Sequence, residues 1–348
     1  MKKPAKFLFV LVAVVLPIGT LLARAGSDSQ GPYLGQKPPG TVPELFAPGI
    51  VSTGLYERDV AVSPDGREII FGVIWGKVVT IMSSRLEGGE WTTPEVVPFA
   101  LDFDYFHLEP CFSPDGKTLY FLSTRAPAGE KPKPGWGHQG LWASDKRGDG
   151  SWGEPYDLGF PINTKGAFQY FPSMTRDGTL YFTRQSPGGE SAVWRSRRRD
   201  GKFSEPEKLP EAVNRGGKIY NVCVSPDEKY LVGCVPGRTD AVTPGASEYY
   251  VFFRSADGGW NEGTNLGEGV NFRGSEAISP FLSPDGKYLF FAAAKRTALD
   301  RWKGKPMAFP DLRGLAAVPQ NGLADIYWVD TRVIEELEKS VRKPIAGE

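Results

Sequence analysis

One four-residue punctuation mark recurs through this chain and constrains its fold more than any other feature. It appears in VSPDGREIIF (Val62–Phe71), FSPDGKTLYF (Phe112–Phe121), MTRDGTLYF (Met174–Phe182), VSPDEKYLV (Val224–Val232) and LSPDGKYLFF (Leu282–Phe291). The copies lie roughly 50–60 residues apart, the kind of period that belongs to repeat architectures built from one supersecondary unit. Each residue of the mark has a turn-forming role: Ser63 bonds the turn backbone, Pro64 presets φ, Asp65 makes an Asx-type turn and Gly66 accepts positive φ. Apolar runs precede and follow each copy, so each is a hairpin.

A second hairpin follows the first in each of the first four repeats. The second repeat reads GLWASDKR, a Gly148-Asp149-Gly150 turn, then SWGEPYDLG; the third gives AVWRSRRRDGKFSEPEKL and the fourth YYVFFRSADGGWNEGTNLG. Trp91, Trp152, Phe203 and Trp260 recur beside these turns, where a large ring is expected to pack between neighbouring units. The fifth repeat lacks a fourth strand. Val42–Thr53 resembles the missing strand and is expected to supply it, which predicts an all-β, five-bladed propeller of four-stranded antiparallel blades closed by the N-terminal strand. A short C-terminal helix, capped by Asp330 or Thr331 and running to about Lys343, is expected to present Val333, Leu337 and Val341 on one face.

The SPDG turns, the segment Gly150–Thr164 (GSWGEPYDLGFPINT) and the ending Asp325–Leu337 (DIYWVDTRVIEEL) resemble the TolB-type propeller repeat family of exported bacterial proteins, over nearly the whole chain beyond residue 25. The resemblance implies a propeller and a protein-binding role in the periplasm. Two repeats depart from the pattern: Thr175-Arg176 stands for Ser-Pro, and Glu228 stands for Gly.

Lys2, Lys3 and Lys6 precede an apolar stretch, Phe7–Leu22, and Ala23-Arg24-Ala25 follows. That order of charge, apolar run and small residues describes a secretory signal peptide. The expected organisation is a signal peptide at 1–25, a flexible leader at 26–41, the propeller at 42–343 and a tail at 344–348, exported to the periplasm or secreted. Membrane contact is expected only if the first segment is retained as an anchor. The 41 basic and 41 acidic side chains cancel, which excludes the basic bias of a nucleic-acid binder. Arg195–Arg199, the one dense basic run, reads as a solvated strand end. Cys111, Cys223 and Cys234 fall within strand runs, and three buried free thiols are expected rather than a disulfide between Cys223 and Cys234. No cofactor or metal is expected, because no cofactor motif or Cys/His ligand spacing occurs.

Propeller geometry puts the SPDG turns at one end of the central channel. The starts of the inner strands and the long loops Ala126–Gly140, Pro236–Ser247 and Arg296–Ala324 lie at the other, where a binding rim is expected. Its candidate residues are Tyr56, Glu57, Arg58, Asp59, His107, Glu109, Gln169, Tyr170, Tyr220, Asn221 and Glu276, with Ser279 beside them, and the expected ligand is a protein, peptide or glycan. A carbohydrate-active hydrolase using Glu57, Asp59, His107 and Glu109 is the alternative, and a structural envelope protein without a ligand a third reading. His138, in a Gly/Pro/Trp-rich loop, is expected to be exposed. Asp102-Phe103-Asp104 reads as a solvated loop, and Arg147-Gly148-Asp149 and Ser255–Trp260 read as ordinary hairpin turns. No G-x-S-x-G nucleophile elbow is present.

Overall fold

The computed structural model describes residues 31–342; the signal-like segment 1–25 lies outside the described residues. The chain forms a five-bladed β-propeller of four-stranded antiparallel sheets. The innermost strands are Tyr56–Val62, His107–Phe112, Phe168–Met174, Tyr220–Val224 and Ile278–Leu282. In every blade the second strand pairs the first through the SPDG-type hairpin and the third pairs the second. The hairpins define a turn end of the channel. The connections between second and third strands, and from each blade to the next, define a loop end.

The turn chemistry is realised bond by bond. The Ser63 hydroxyl donates to Asp65 Oδ1 (2.6 Å) and accepts from the Glu68 N–H (2.9 Å), while the Arg67 N–H donates to Asp65 Oδ1 (3.0 Å). Ser113, Ser225 and Ser283 repeat this. Both departures have physical compensations. Thr175 takes over the serine's bonds, and Arg176, unlike a proline, keeps an N–H that donates to the Pro226 carbonyl of the next blade (2.8 Å). Glu228 sits at φ +58°, where the other copies use glycine. Its carboxylate holds Arg195 (3.2 Å) and Arg254 (3.3 Å) and accepts from the Tyr181 hydroxyl, which offsets the left-handed strain.

The ring is closed as the repeat count requires. Glu44–Leu45 pairs Ala324–Asp330 antiparallel, with Glu44 opposite Trp328. The closing strand is shorter than Val42–Thr53: after Leu45, Phe46 turns inward between Phe290 and Trp328 and is fully buried. Within the segment expected as a leader, Leu34 is buried and Tyr33 packs on Tyr288 and Trp328. The C-terminal helix spans Arg332–Arg342 and buries Ile334, with Val333 and Leu337 half-buried against the fifth blade; Val341 is exposed instead of joining that face.

Aromatic rings wedge the blades. Trp152 is buried beside Phe112 and donates to Glu68 Oε1 of blade 1 (3.0 Å), which also accepts from Arg85 (3.1 Å), while Lys146 reaches the second oxygen (2.8 Å). Arg195 and Arg197 are ion-paired with Glu207. The three cysteines are free and buried.

Candidate functional site

Every innermost strand carries the same backbone irregularity. Asp59, Glu109, Phe171, Asn221 and Ser279 all adopt positive φ, between +46° and +61°, each four residues before the Ser or Thr that opens the turn. In all five strands the pairing register shifts at this point. A left-handed non-glycine residue costs on the order of 1–2 kcal/mol, so five of them on one level form a built-in ring of bulges. A bulge re-aims the side chains around it, and the ring divides the channel in two.

At the level of the ring the channel is plugged by charge. Arg58 donates from Nε to Asp59 Oδ2 (2.6 Å) and from Nη2 to Glu109 Oε1 (3.0 Å). The Ser279 hydroxyl donates to Asp59 Oδ1, and the Phe171 N–H to Glu109 Oε2 (2.7 Å). All three charged side chains are buried. Burial and the neighbouring Asp59 carboxylate push Glu109 up to about 8, against the pull of Arg58. Burial works against the charge of Arg58, yet Asp59 and Glu109 hold it above its ordinary range.

Toward the turn end this plug is the floor of an open vestibule of about 380 Å³. Its walls come from residues after the bulges, among them Val60, Val62, Pro110, Pro172, Met174, Val224, Pro280 and Leu282. Its mouth is ringed by the second residue of each turn: Pro64, Pro114, Pro226 and Pro284 in four blades, and Arg176 in the third. Arg176 is exposed and has no ion pair among the described residues. An apolar concavity of this size with a few convergent polar groups has the dimensions of a ligand site.

The candidate residues divide between the two sides of the ring. Arg58, Asp59 and Glu109 are brought together with Ser279. Glu57 is buried apart from them: it accepts from the Thr53 hydroxyl, while its Oε2 has no partner. Burial raises its carboxyl, and burial followed by the nearby Glu57 raises Asp325 to about 7. His107 packs edge-on to Phe99 and Phe121, and neither ring nitrogen has a hydrogen-bond partner. Burial, with Arg125 nearby, pushes the imidazole down to about 3. Gln169 is buried on Thr164 Oγ1 (2.9 Å), and the Tyr220 hydroxyl lies within bonding distance of Ser247 Oγ (2.8 Å) and the Ala277 carbonyl (2.9 Å). Tyr56 and Tyr170 are half-buried, Asn221 is buried within the ring, and Glu276 is exposed and accepts from the Ser247 N–H (2.7 Å). His138 is buried, against expectation, with Nε2 on the Lys131 carbonyl (2.9 Å).

Among the described residues no group of three His, Cys, Asp or Glu side chains is placed to hold a metal ion. The sequence reading missed the vestibule walls, Phe171 and Arg176. The signal for the ring was the constant four-residue offset before each turn; for Arg176 it was the broken Ser-Pro.

No family model matches this chain, and no curated protein matches it in sequence. Several solved structures align with this chain at low identity. TolB from Acinetobacter baumannii is 17% identical with a TM-score of 0.45, over 79% of this chain and 54% of that one, so this chain spans about half its length. A putative TolB from Agrobacterium tumefaciens is 16% identical (TM-score 0.43, 71% of this chain and 73% of that one). A gluconolactonase from Xanthomonas campestris is 14% identical (TM-score 0.45, 76% and 82%). The blades and the side chains inside them define the class of protein: a five-bladed propeller whose channel is filled at mid-height by Arg58, Asp59 and Glu109.

Proposed function

We propose that this chain is an exported binding propeller that seats an apolar group of a peptide or protein segment in the turn-end vestibule, with an acidic group of the same ligand against Arg176. The observation that carries this reading is the vestibule itself: apolar walls, a floor made by the plug, and at the mouth Arg176 without an ion pair among the described residues, beside Asp285, which is paired with Lys287. Apolar walls disfavour a glycan, whose hydroxyls would lose water without finding partners. Export rests on the sequence of residues 1–25. The hydrolase reading is not favoured. Each oxygen of Asp59 and Glu109 already accepts a protein hydrogen bond, and His107 faces phenyl rings rather than a carboxylate.

The test uses anilinonaphthalene sulfonate, an apolar fluorophore bearing one negative charge, displaced by a library of short acidic-apolar peptides. Val62→Trp and Met174→Trp, which fill the vestibule, are expected to weaken fluorophore and peptide binding at least about tenfold, the loss of some 1.4 kcal/mol of buried contact. Unchanged binding in both variants, with melting temperatures intact, would refute the assignment.

A further inference from the structure

The loop end carries a second feature, independent of the vestibule. Most of the large apolar side chains exposed among the described residues lie on connections at this end. Trp75 (67% exposed) tips the hairpin of blade 1, Phe103 lies between blades 1 and 2, and Trp136 is on the long loop of blade 2. Phe160 (78%) leads from blade 2 to blade 3, and Phe309 (69%) and Leu312 lie on the short helix Phe309–Leu315 in the long insertion of blade 5. Blades 5, 1 and 2 are consecutive around the closed ring. No large hydrophobic side chain between Phe160 and Met307 is exposed, so the loop ends of blades 3 and 4 contribute none. The apolar groups therefore form a crescent over half of one face. The blade 5 insertion is packed onto this face: Asn321 donates to the Gly54 carbonyl (3.0 Å), and a Cβ at Gly54 would collide with the Ala316 carbonyl.

Charge distinguishes among possible occupants. In the blade 5 insertion Arg296, Arg301, Lys303, Lys305 and Arg313 are exposed against Asp300 and Asp311. Lys77 stands two residues from Trp75, and Lys131 and Lys133 precede Trp136, all exposed. Cation and ring are adjacent in space as well: the Arg313 guanidinium lies over the Phe309 ring (5.5 Å) and that of Arg301 over Trp302 (5.6 Å). Fewer acidic residues lie among them: Asp102 and Asp104 flank Phe103, Glu130 precedes Lys131, and Asp300 and Asp311 lie in the blade 5 insertion. A protein interface is ordinarily depleted of lysine. Exposed Trp, Phe and Leu interspersed with Lys and Arg are the composition of a surface that rests in a lipid interface, with rings at headgroup depth and cations on anionic headgroups.

We propose that the loop-end crescent of blades 5, 1 and 2 docks peripherally on an anionic phospholipid bilayer, leaving the vestibule at the opposite end facing away from the membrane. The docking surface is made by loops of the closed ring and needs no residue of the N-terminal segment. It is tested with residues 26–348, which contain the whole closed ring. The chain is sedimented with vesicles of phosphatidylcholine containing phosphatidylglycerol and with vesicles of phosphatidylcholine alone, across a salt series. Binding is expected to the anionic vesicles, weakening with salt. Lys303→Glu/Lys305→Glu should lower it about fivefold or more per reversed charge, and Phe309→Asp/Leu312→Asp at least about tenfold. Because the insertion variants risk local misfolding, Trp75→Ser on the separate blade 1 hairpin serves as the second variant and should also weaken binding. Failure to sediment with anionic vesicles at low salt, equal binding to both vesicle types, or wild-type binding by all three variants would overturn the proposal. In the first case the crescent would belong to a protein interface.

Discussion

The same five strands make both ends of the channel, yet the ends are opposite in kind. Toward the turns, prolines and short aliphatic side chains leave a vestibule open above a charged floor. Toward the loops, Tyr220, Gln169 and Glu57 are tied into neighbouring loops and strands, and exposed rings and cations spread outward over the surface. The bulge ring at Asp59, Glu109, Phe171, Asn221 and Ser279 is what separates them. One end is concave and suits a small inserted group; the other is broad and suits an extended surface. The comparison teaches that rim loops and a binding cavity need not share a face, even where long loops invite that reading.

The largest test of this contrast is the plug. Arg58→Met leaves the buried Asp59 carboxylate without its cation and Glu109 Oε1 without its donor, and is expected to cost about 3–5 kcal/mol. Arg301→Met, at the exposed loop end, should stay within about 0.5 kcal/mol. Urea denaturation measures both. A loss below about 1 kcal/mol for Arg58→Met would mean that the floor is not sealed from water.

The pH profile separates the two sides of the ring next. Glu109 titrates near 8 when folded and near 4.5 otherwise. Between those values the folded chain keeps a proton that the unfolded chain has released, so this contribution is full below about 4.5 and is lost as pH rises to 8. His107 runs the other way: its folded value is near 3 against 6.5, so the unfolded chain gains a proton first and stability falls as pH drops below about 6.5. Thermal melts across this range should show Glu109→Gln flattening the alkaline limb and His107→Phe the acid limb. Unaltered slopes would place both groups in contact with solvent.

His107 also shows how far the sequence could be read. The fold was legible because five copies of one turn demand five hairpins, and because a fifth unit lacking its last strand demands a donor from elsewhere. The plug was legible only as a list of polar residues ahead of each turn. In a regular strand His107 and Glu109, two residues apart, would share a face, and an acid–base pair would follow. The left-handed backbone at Glu109 breaks that alternation, turning the carboxyl toward the channel and leaving the imidazole between Phe99 and Phe121. A bulge made without glycine carries no compositional mark. The walls were missed for the same reason, since Pro110, Pro172 and Pro280 face the channel only once the register has shifted.

A smaller effect is expected outside the channel. Glu68 joins blades 1 and 2 through Trp152, Lys146 and Arg85, and Glu68→Ala would leave the buried Trp152 N–H unpaired, for a loss of about 2 kcal/mol. The same replacement at Glu207, itself exposed, should change stability by less than about 1 kcal/mol. Equal losses would show that the wedge is held by its ring alone.

The smallest stability change, and the sharpest for the turn end, is expected at Arg176. Arg176→Pro restores the Ser-Pro-type turn of the other blades and should gain about 0.4–1 kcal/mol by stiffening the unfolded chain. It also removes the N–H that reaches the Pro226 carbonyl, a loss that exceeds the gain where the replaced N–H was bonded, so a small net loss is expected. Arg176→Ala keeps that N–H and gives up neither term. If Arg176 serves only the turn, the two variants differ slightly in stability and bind acidic-apolar peptides as the parent does. If it supplies the charge at the vestibule mouth, both lose affinity by about tenfold while their melting temperatures stay close to the parent's. Measuring stability and peptide binding on the same pair therefore tells a residue kept for a hydrogen bond between blades from one kept for a ligand.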